Sequence, residues 1–342
     1  MQPLAVKNHQ AIVEVMGTVI PAKKVTVRSR VTGEIVTLHP DFLEGGFLQK
    51  GETIARLDDV DYKLIKQQRE ATLAQCASDL TLEEGQQDIA RREWELLGAR
   101  EATDRDRELA LRVPQLRSKQ AVYKSAKAAL KKAEVDLART SITTPFNAVI
   151  LSADVQLGDQ VNSQTQLAAL VGTDAFHIQV SLPISKLSWI KIPSNRNEQG
   201  APAVVIAQGG RRYSGKVVKL LSDIEPGGRM ARLLVEVKDP LKLKDGRQGR
   251  LLLGEYVTVK IEGQQLQNVI PVPRTAFHNN SEIWIITGDN KLKVIKTKPV
   301  WEERSTVFIK NRFLPDEKLI TSELSFPVEG MSLNIFSGKK GK

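Results

Sequence analysis

Four histidines, one cysteine and a short run of aspartates are the residues with which this chain could do chemistry. His9, His39, His177 and His278 are far apart and show no metal-ligand spacing. Asp58-Asp59-Val60-Asp61 offers carboxylates to a cation, yet it lacks the alternating ligands and closing glutamate of a calcium loop. It reads better as the acidic start of a helix, where negative charge faces the positive end of the helix dipole. No glycine-rich phosphate loop with a lysine and no nucleophile elbow occurs. Gly45-Gly46 suits a turn rather than a ligand, because glycine takes positive φ without steric cost. Cys76 is the sole cysteine, so no intramolecular disulfide forms. That fits a reducing compartment and equally a chain with core enough to need no staple. The sequence assigns no catalytic residue, no cofactor and no metal.

The bulk composition is that of a folded, soluble protein: 342 residues, 41% hydrophobic and 26% charged, enough for two or three domains. The net charge of +10 raises the question of nucleic acid. The basic residues, however, alternate with acids, as in Arg91-Arg92-Glu93 and Asp104-Arg105-Asp106. No basic block interleaves with aromatics, as a strand-binding groove requires, so nucleic acid is not an expected partner. No stretch approaches the ~18 apolar residues of a spanning helix, and no signal-peptide pattern follows Met1. Two readings stay open on this ground: a cytoplasmic protein, or one whose export or anchor segment lies outside this chain.

The elements that would position functional residues differ sharply along the chain. From Tyr62 to Arg139 there is one proline, Pro114, and the glycines are Gly85 and Gly98. Leu109, Leu116, Tyr123, Leu130 and Leu137 recur every seven residues, with Val113 and Ala133 between them. A strict seven-residue repeat predicts a left-handed coiled coil. In the first half Leu73, Cys76, Leu80, Ala90, Trp94 and Leu97 fit one register, while Ile65, Leu82, Ile89 and Leu96 lie off it. Gly98 suits the left-handed position just past a helix end. Thr103 suits an N-cap, with Asp104 and Asp106 in the first turn of the returning helix. The spacing therefore predicts two antiparallel helices of about 35 residues, roughly 50–55 Å each. Pro114 should bend the second.

The flanks read as β-structure. Val25 to Leu57 and Thr140 to Phe176 show short apolar runs cut by glycine and proline, and the two segments match each other. A shift of 113 residues without gaps places Val36 on Val149, Leu38 on Leu151, Gly45 on Gly158, Leu48 on Val161, Ile54 on Leu167, Ala55 on Ala168 and Leu57 on Leu170. Two copies flanking a helical hairpin imply an internal duplication. Beyond Phe176, alternating stretches such as Tyr256 to Ile261 predict half-buried antiparallel strands. Turn signals stand at Gly209-Gly210, Pro226-Gly227-Gly228, Asp245-Gly246, Asn279-Asn280 and Gly288-Asp289-Asn290. Pro271 and Pro273 interrupt the β pattern and suggest a domain border. The tail, 339–342, is expected to be disordered.

Two half-motifs of the form V-x-x-G-x-x-L-x-x-L around a helical hairpin resemble a split biotinyl/lipoyl domain. With the strands that follow, the chain resembles the HlyD-type membrane fusion proteins, in particular the adaptors of resistance–nodulation–division efflux pumps. The resemblance rests on TGEIVTLHPDFLEGGFLQKGETIARLDDVDY (32–62), EWELLG (93–98), TPFNAVI (144–150), LLGEYVTVKIEG (252–263) and IPVPRTAF (270–277). At the hairpin tip the family carries an Arg, a Leu four residues on and a Ser seven further. Arg92, Leu96 and Thr103 stand at that spacing, with Thr in place of Ser. The resemblance implies that they touch a TolC-type outer-membrane channel. It also implies an inner-membrane proton-driven transporter as the other partner, side-by-side assembly as a hexamer or three dimers, the periplasm, and an N-terminal lipid or helix anchor.

The fold expected is mainly β with a long α-helical hairpin, in four nested modules. The hairpin (61–140) sits inside a lipoyl-like domain (30–60 with 141–175). That sits inside a β-barrel domain (18–29 with 176–263), and 1–17 with 264–338 form a membrane-proximal β-domain. The function expected is that of an export adaptor for drugs or metals, and not an enzyme. Three other readings compete with it: an adaptor of an ATP-driven exporter, a lipoyl or biotinyl carrier subunit, and a coiled-coil protein without channel partners. A carrier needs its lysine on a tight turn between the half-motifs, and here residues 61–140 occupy that place.

Overall fold

The computed structural model describes residues 1–97, 103–195, 197–224, 228, 230–243, 249–279, 281–313, 317–322, 324 and 326–333. The chain begins with β1 (Gln2–Pro3), β2 (Lys7–Pro21), β3 (Lys24–Arg28), β4 (Gly33–Leu38), β5 (Phe47–Leu48) and β6 (Thr53–Leu57). Three helices follow: α1 (Val60–Leu97), α2 (Asp104–Ala110) and α3 (Val113–Ala138). Then come β7 (Ser141–Thr143), β8 (Ala148–Ala153), β9 (Gln160–Val161), β10 (Gln166–Gly172) and β11 (Ala175–Pro183). The long strands β12 (Pro202–Ile206), β13 (Arg212–Ile224), β14 (Met230–Lys238) and β15 (Tyr256–Pro273) lead to shorter ones. These are β16 (Phe277–His278), β17 (Glu282–Ile286), β18 (Leu292–Lys296), β19 (Pro299–Glu302), β20 (Thr306–Lys310) and β21 (Lys318–Leu319). Two compact units result: Pro21–Ala175, and Met1–Ile20 with Phe176–Lys342.

In the first unit the two copies exchange strands. One sheet runs β3-β10-β8-β5 and the other β7-β6-β4-β9. Replacing each strand by its equivalent in the other copy turns one order into the other. Short strands bury too little apolar surface alone, and the exchange gives both copies one shared core. Ile35 and Ile150, Ile54 and Leu167, and Leu57 and Leu170 are matching pairs in it, each residue at most 2% exposed. The pairing corrects the ungapped alignment. Leu57 faces Ile35 across β6–β4, and Leu170 faces Ile150 across β10–β8. Ile35, not Val36 or Thr37, is thus the counterpart of Ile150. The first copy carries two more residues between His39, whose N–H donates to Ile54, and Gly45 than the second does between Asp154, which donates to Leu167, and Gly158. A shift of two keeps inside and outside residues in phase, so the ungapped match looked sound. Val36 is in fact exposed. Gly45 and Gly158, at φ 84° and 88°, make the same turn in both copies. Lys24–Arg28, expected with the barrel, pairs with β10 and is the first strand of the repeat.

The hairpin packs along one seam. On α1, Leu73, Cys76, Leu80, Glu83, Gln87, Ala90 and Trp94 are buried or half-buried, at alternating spacings of three and four. On α3, Leu116, Lys119, Tyr123, Ala126, Leu130, Ala133 and Leu137 do the same. Leu82, Ile89 and Leu96 face solvent, as their phase requires. Pro114 does more than bend the second helix. The helix stops at Leu111–Arg112 and restarts at Val113, with proline in its first turn. A proline ring collides with the carbonyl four residues back and disfavours helix in the residue before it. In a first turn the missing N–H would be unpaired anyway. The cost falls on Arg112, a non-glycine at φ 55°, of about 1–3 kcal/mol.

In the second unit β12, β13, β14, β11, β2 and β15 are neighbours in that order, and β15 pairs back to β12, so six strands close on themselves. Closure leaves no edge. β15 continues through Pro271 and Pro273, which pair with Phe308 and Thr306 of β20. The prolines therefore do not interrupt the strand. Beyond Val269, which pairs with Lys7, β15 has β20 as its one neighbour, so the missing N–H groups can face the open side. A small sheet runs β1-β21-β17-β16, with β18 on β17. Ile270, Val272, Ile283, Ile285, Ile309 and Leu319 are its core. Gly209-Gly210 and Gly288-Asp289-Asn290 link β12 to β13 and β17 to β18. The expected turns at 226–227, 245–246 and Asn280, and the tail 339–342, lie outside the described residues.

Candidate docking site at the hairpin tip

Arg92 and Leu96 lie four residues apart near the end of α1 and share a face. Leu96 is 88% exposed. It adds nothing to the seam, which Trp94 supplies at this level. Arg92 is exposed and has no ion-pair partner among the described residues. Thr103 caps α2. Its hydroxyl accepts from the Asp106 N–H at 3.3 Å and donates to Asp106 Oδ2 at 2.6 Å, and the same carboxylate oxygen accepts from the Thr103 N–H at 3.3 Å. This is a reciprocal capping box with aspartate at its third position. Gly98 and the rest of the connection, 98–102, lie outside the described residues, and with them the separation of Thr103 from Leu96. Chemically the tip offers a guanidinium fork for carboxylates or carbonyls and a bare apolar anchor.

Below the tip is a polar node that the heptad reading passed over. Arg112 donates to both oxygens of Glu83, at 2.7 and 2.9 Å, and to Gln86 Oε1 at 2.6 Å. The Gln87 amide donates to the Leu111 carbonyl at 3.1 Å, a carbonyl the helix break leaves without its helical partner. Hydrogen bonds from Arg112 hold the Glu83 carboxyl below the usual carboxylate range and raise the guanidinium in turn. Lys119, at 3.0 Å, lowers Asp79 one turn and a little further along the seam. The signal was present: Glu83 and Gln87 are polar where the α1 register calls for apolar residues.

The other chemically capable residues do not converge. His9 meets Glu303 at 2.7 Å and stacks on Phe308, while His278 stacks on Trp284. His177 is lowered by burial. Asp58 accepts the Val60 N–H at the start of α1, and Asp59 pairs with Lys63 at 2.7 Å. Among the described residues no three metal-ligating side chains cluster, and no helix is long and apolar enough to cross a membrane.

The two-copy strand-swapped β-domain interrupted by a coiled-coil hairpin in one unit, and the closed barrel in the other, make up the fold of the membrane fusion adaptors, a class that is non-enzymatic in general. Residues 23–173 match the family described as the RND MFP barrel-sandwich hybrid domain, a span that starts one residue before β3 and ends one after β10. That span of the chain is thus similar to the barrel-sandwich hybrid domain of resistance–nodulation–division adaptors. Over 340 residues it is 23% identical to the multidrug resistance protein MdtA of Klebsiella pneumoniae subsp. pneumoniae, across 96% of this chain and 77% of that one. MacA from Actinobacillus actinomycetemcomitans shares the fold with a TM-score of 0.60 at 17% identity, over 93% of this chain and 98% of that one. A MacA–MexA chimera carrying the Pseudomonas aeruginosa MexA α-hairpin gives 0.63 at 18%, over 94% and 100%.

Proposed function

We propose that this chain is the periplasmic adaptor of a tripartite export complex. It joins a proton-driven inner-membrane transporter to a TolC-type outer-membrane channel through Arg92, Leu96 and Thr103. The observation that carries the reading is Leu96, a leucine 88% exposed at the end of a 38-residue helix whose own seam is complete without it. Exposed leucine at a projecting end fits an apolar anchor that a partner buries. The four nested modules set out above are part of this reading, with the first strand of the repeat, Lys24–Arg28, moved into the lipoyl-like domain. So are a hexamer or three dimers as the working assembly, an N-terminal lipid or helix anchor, and the absence of catalysis. A photo-crosslinking residue at position 96 should capture the outer-membrane channel in cells, while one at exposed Lys124 should not. Equal capture from both positions, or none from position 96, would remove the tip from the function.

A further inference from the structure

The second unit holds a groove of 1090 Å³ that the docking role leaves unused. Trp189, at the end of the short helix Ile184–Trp189, and Trp301 of β19 line it, their ring centroids 5.2 Å apart and tilted by 58°. Trp301 is 5% exposed, and its indole N–H has no hydrogen-bond partner. Lys186, half-buried, holds its ammonium 5.4 Å over the Trp301 ring.

The charges around it are unequal. Glu14 is paired with Lys260 at 3.6 Å, Glu302 with Arg274 at 3.2 Å, and Glu303 with His9 at 2.7 Å. Every carboxylate lining the groove is thus engaged, whereas Lys186 and Arg304 have no carboxylate partner among the described residues. The groove combines the half-buried Trp189 indole and spare positive charge. A cationic ligand would compete with Lys186 for the Trp301 face and be repelled by it. A neutral hydrocarbon would leave the Lys186 and Arg304 charges unanswered. We propose that the groove binds a small aromatic carboxylate. Its ring lies against Trp189, and its carboxylate accepts from Lys186. The volume lies slightly above what small-molecule sites commonly enclose, about 300–1,000 Å³, so a small ligand fills part of it. The inference concerns the isolated chain and does not depend on the adaptor reading.

The chain has four tryptophans, Trp94, Trp189, Trp284 and Trp301, so 5-fluorotryptophan gives four ¹⁹F resonances with two internal controls. Titration of the full chain with 2-naphthoate should shift the Trp189 and Trp301 signals in a saturable way and leave Trp94 and Trp284 in place. The neutral analogue 2-naphthalenemethanol should bind about tenfold more weakly, the order expected for losing one charge-assisted contact. Lys186→Gln should abolish that preference, and Trp189→Leu should weaken both compounds, each with the control signals unmoved. No shift into the millimolar range, equal affinity for the two compounds, or a preference that survives Lys186→Gln would overturn the proposal. So would an equal response to N-acetylglutamate methylamide, which would make the occupant an acidic protein segment.

Discussion

Glu83 sits at a seam position where a leucine would pack better, and its partner explains why. Arg112 is held in the left-handed region by the break before Pro114, and its guanidinium is anchored by Glu83 and Gln86. Removing one partner of such a pair strands the other, whereas replacing both with groups that fit can be neutral or better. Arg112→Gly relieves the backbone but leaves Glu83 alone, so it should lower the melting temperature. Glu83→Leu with Arg112→Gly should recover most of the loss. A double variant less stable than either single one would sink this account. The pair also sets a pH response. Glu83 and Asp79 are both lowered from ordinary values of 4.5 and 3.8. A depressed carboxyl contributes stability that is complete above its unfolded value and is lost as pH falls through the lower folded one. Thermal melts followed by helical circular dichroism should therefore decline below about pH 4.5. Glu83→Gln, less stable at neutral pH, should converge on the native chain under acid. A constant gap between the two across that range would contradict the assignment.

At the scale of elements, the hairpin rests on a narrow seam in which Ala126 and Ala133 are the deeply buried α3 residues, at 9% and 6% exposure. Leu130 between them is half-buried. Leu130→Ala should cost about 2 kcal/mol, the low end for a buried leucine. A loss near the upper end in denaturant titration would mean a drier seam than this one. The seam was legible in the sequence because seven-residue spacing survives inspection of one helix alone: Leu116, Tyr123, Leu130 and Leu137 lie where the repeat puts them, whereas Leu109, on the far side of the helix break, is exposed. The break at Leu111–Arg112 was half legible. Proline announced a disturbance, but its form depended on Glu83 and Gln87 from the other helix. The duplication was visible through its turn glycines and misaligned in its first strands. An even shift leaves the inside–outside alternation unchanged, and only pairing across the sheets separates Ile35 from Thr37 as the counterpart of Ile150. Arg92, Leu96 and Thr103 were reached by resemblance, since nothing in their local pattern separates them from ordinary helix surface. The indole groove was invisible, because Lys186, Trp189 and Trp301 meet only after the strands between them are in place.

For the molecule as a whole, export and folding should respond differently to the tip. Leu96→Asp would set an unpaired carboxylate into a closed joint, a penalty of several kcal/mol if water is excluded. On the free chain that carboxylate stays hydrated, and stability should change by about 0.5 kcal/mol or less. A strain lacking its own copy should lose resistance with Leu96→Asp or Arg92→Asp, while the purified variants melt normally. Full resistance from both variants would move the joint elsewhere. Thr103→Ser keeps the cap and should be silent in both assays. Deleting 62–139 and closing the gap with a glycine-containing turn should leave the paired copies folded, because each sheet takes strands from both. Loss of cooperative unfolding in that deletion would count against the exchange of strands. The circuit of barrel strands also has an order of events in it. β2 lies between β11 and β15, both of which follow the whole Pro21–Ala175 unit in the chain. During synthesis or export the amino end emerges first, and domains fold as units once their residues are free. The strand-swapped domain and its hairpin can therefore be complete while β2 still waits, unpaired, for neighbours not yet made. For that interval the protein carries an open strand edge, and a chaperone that shields such edges should matter more for reaching the native state than for keeping it.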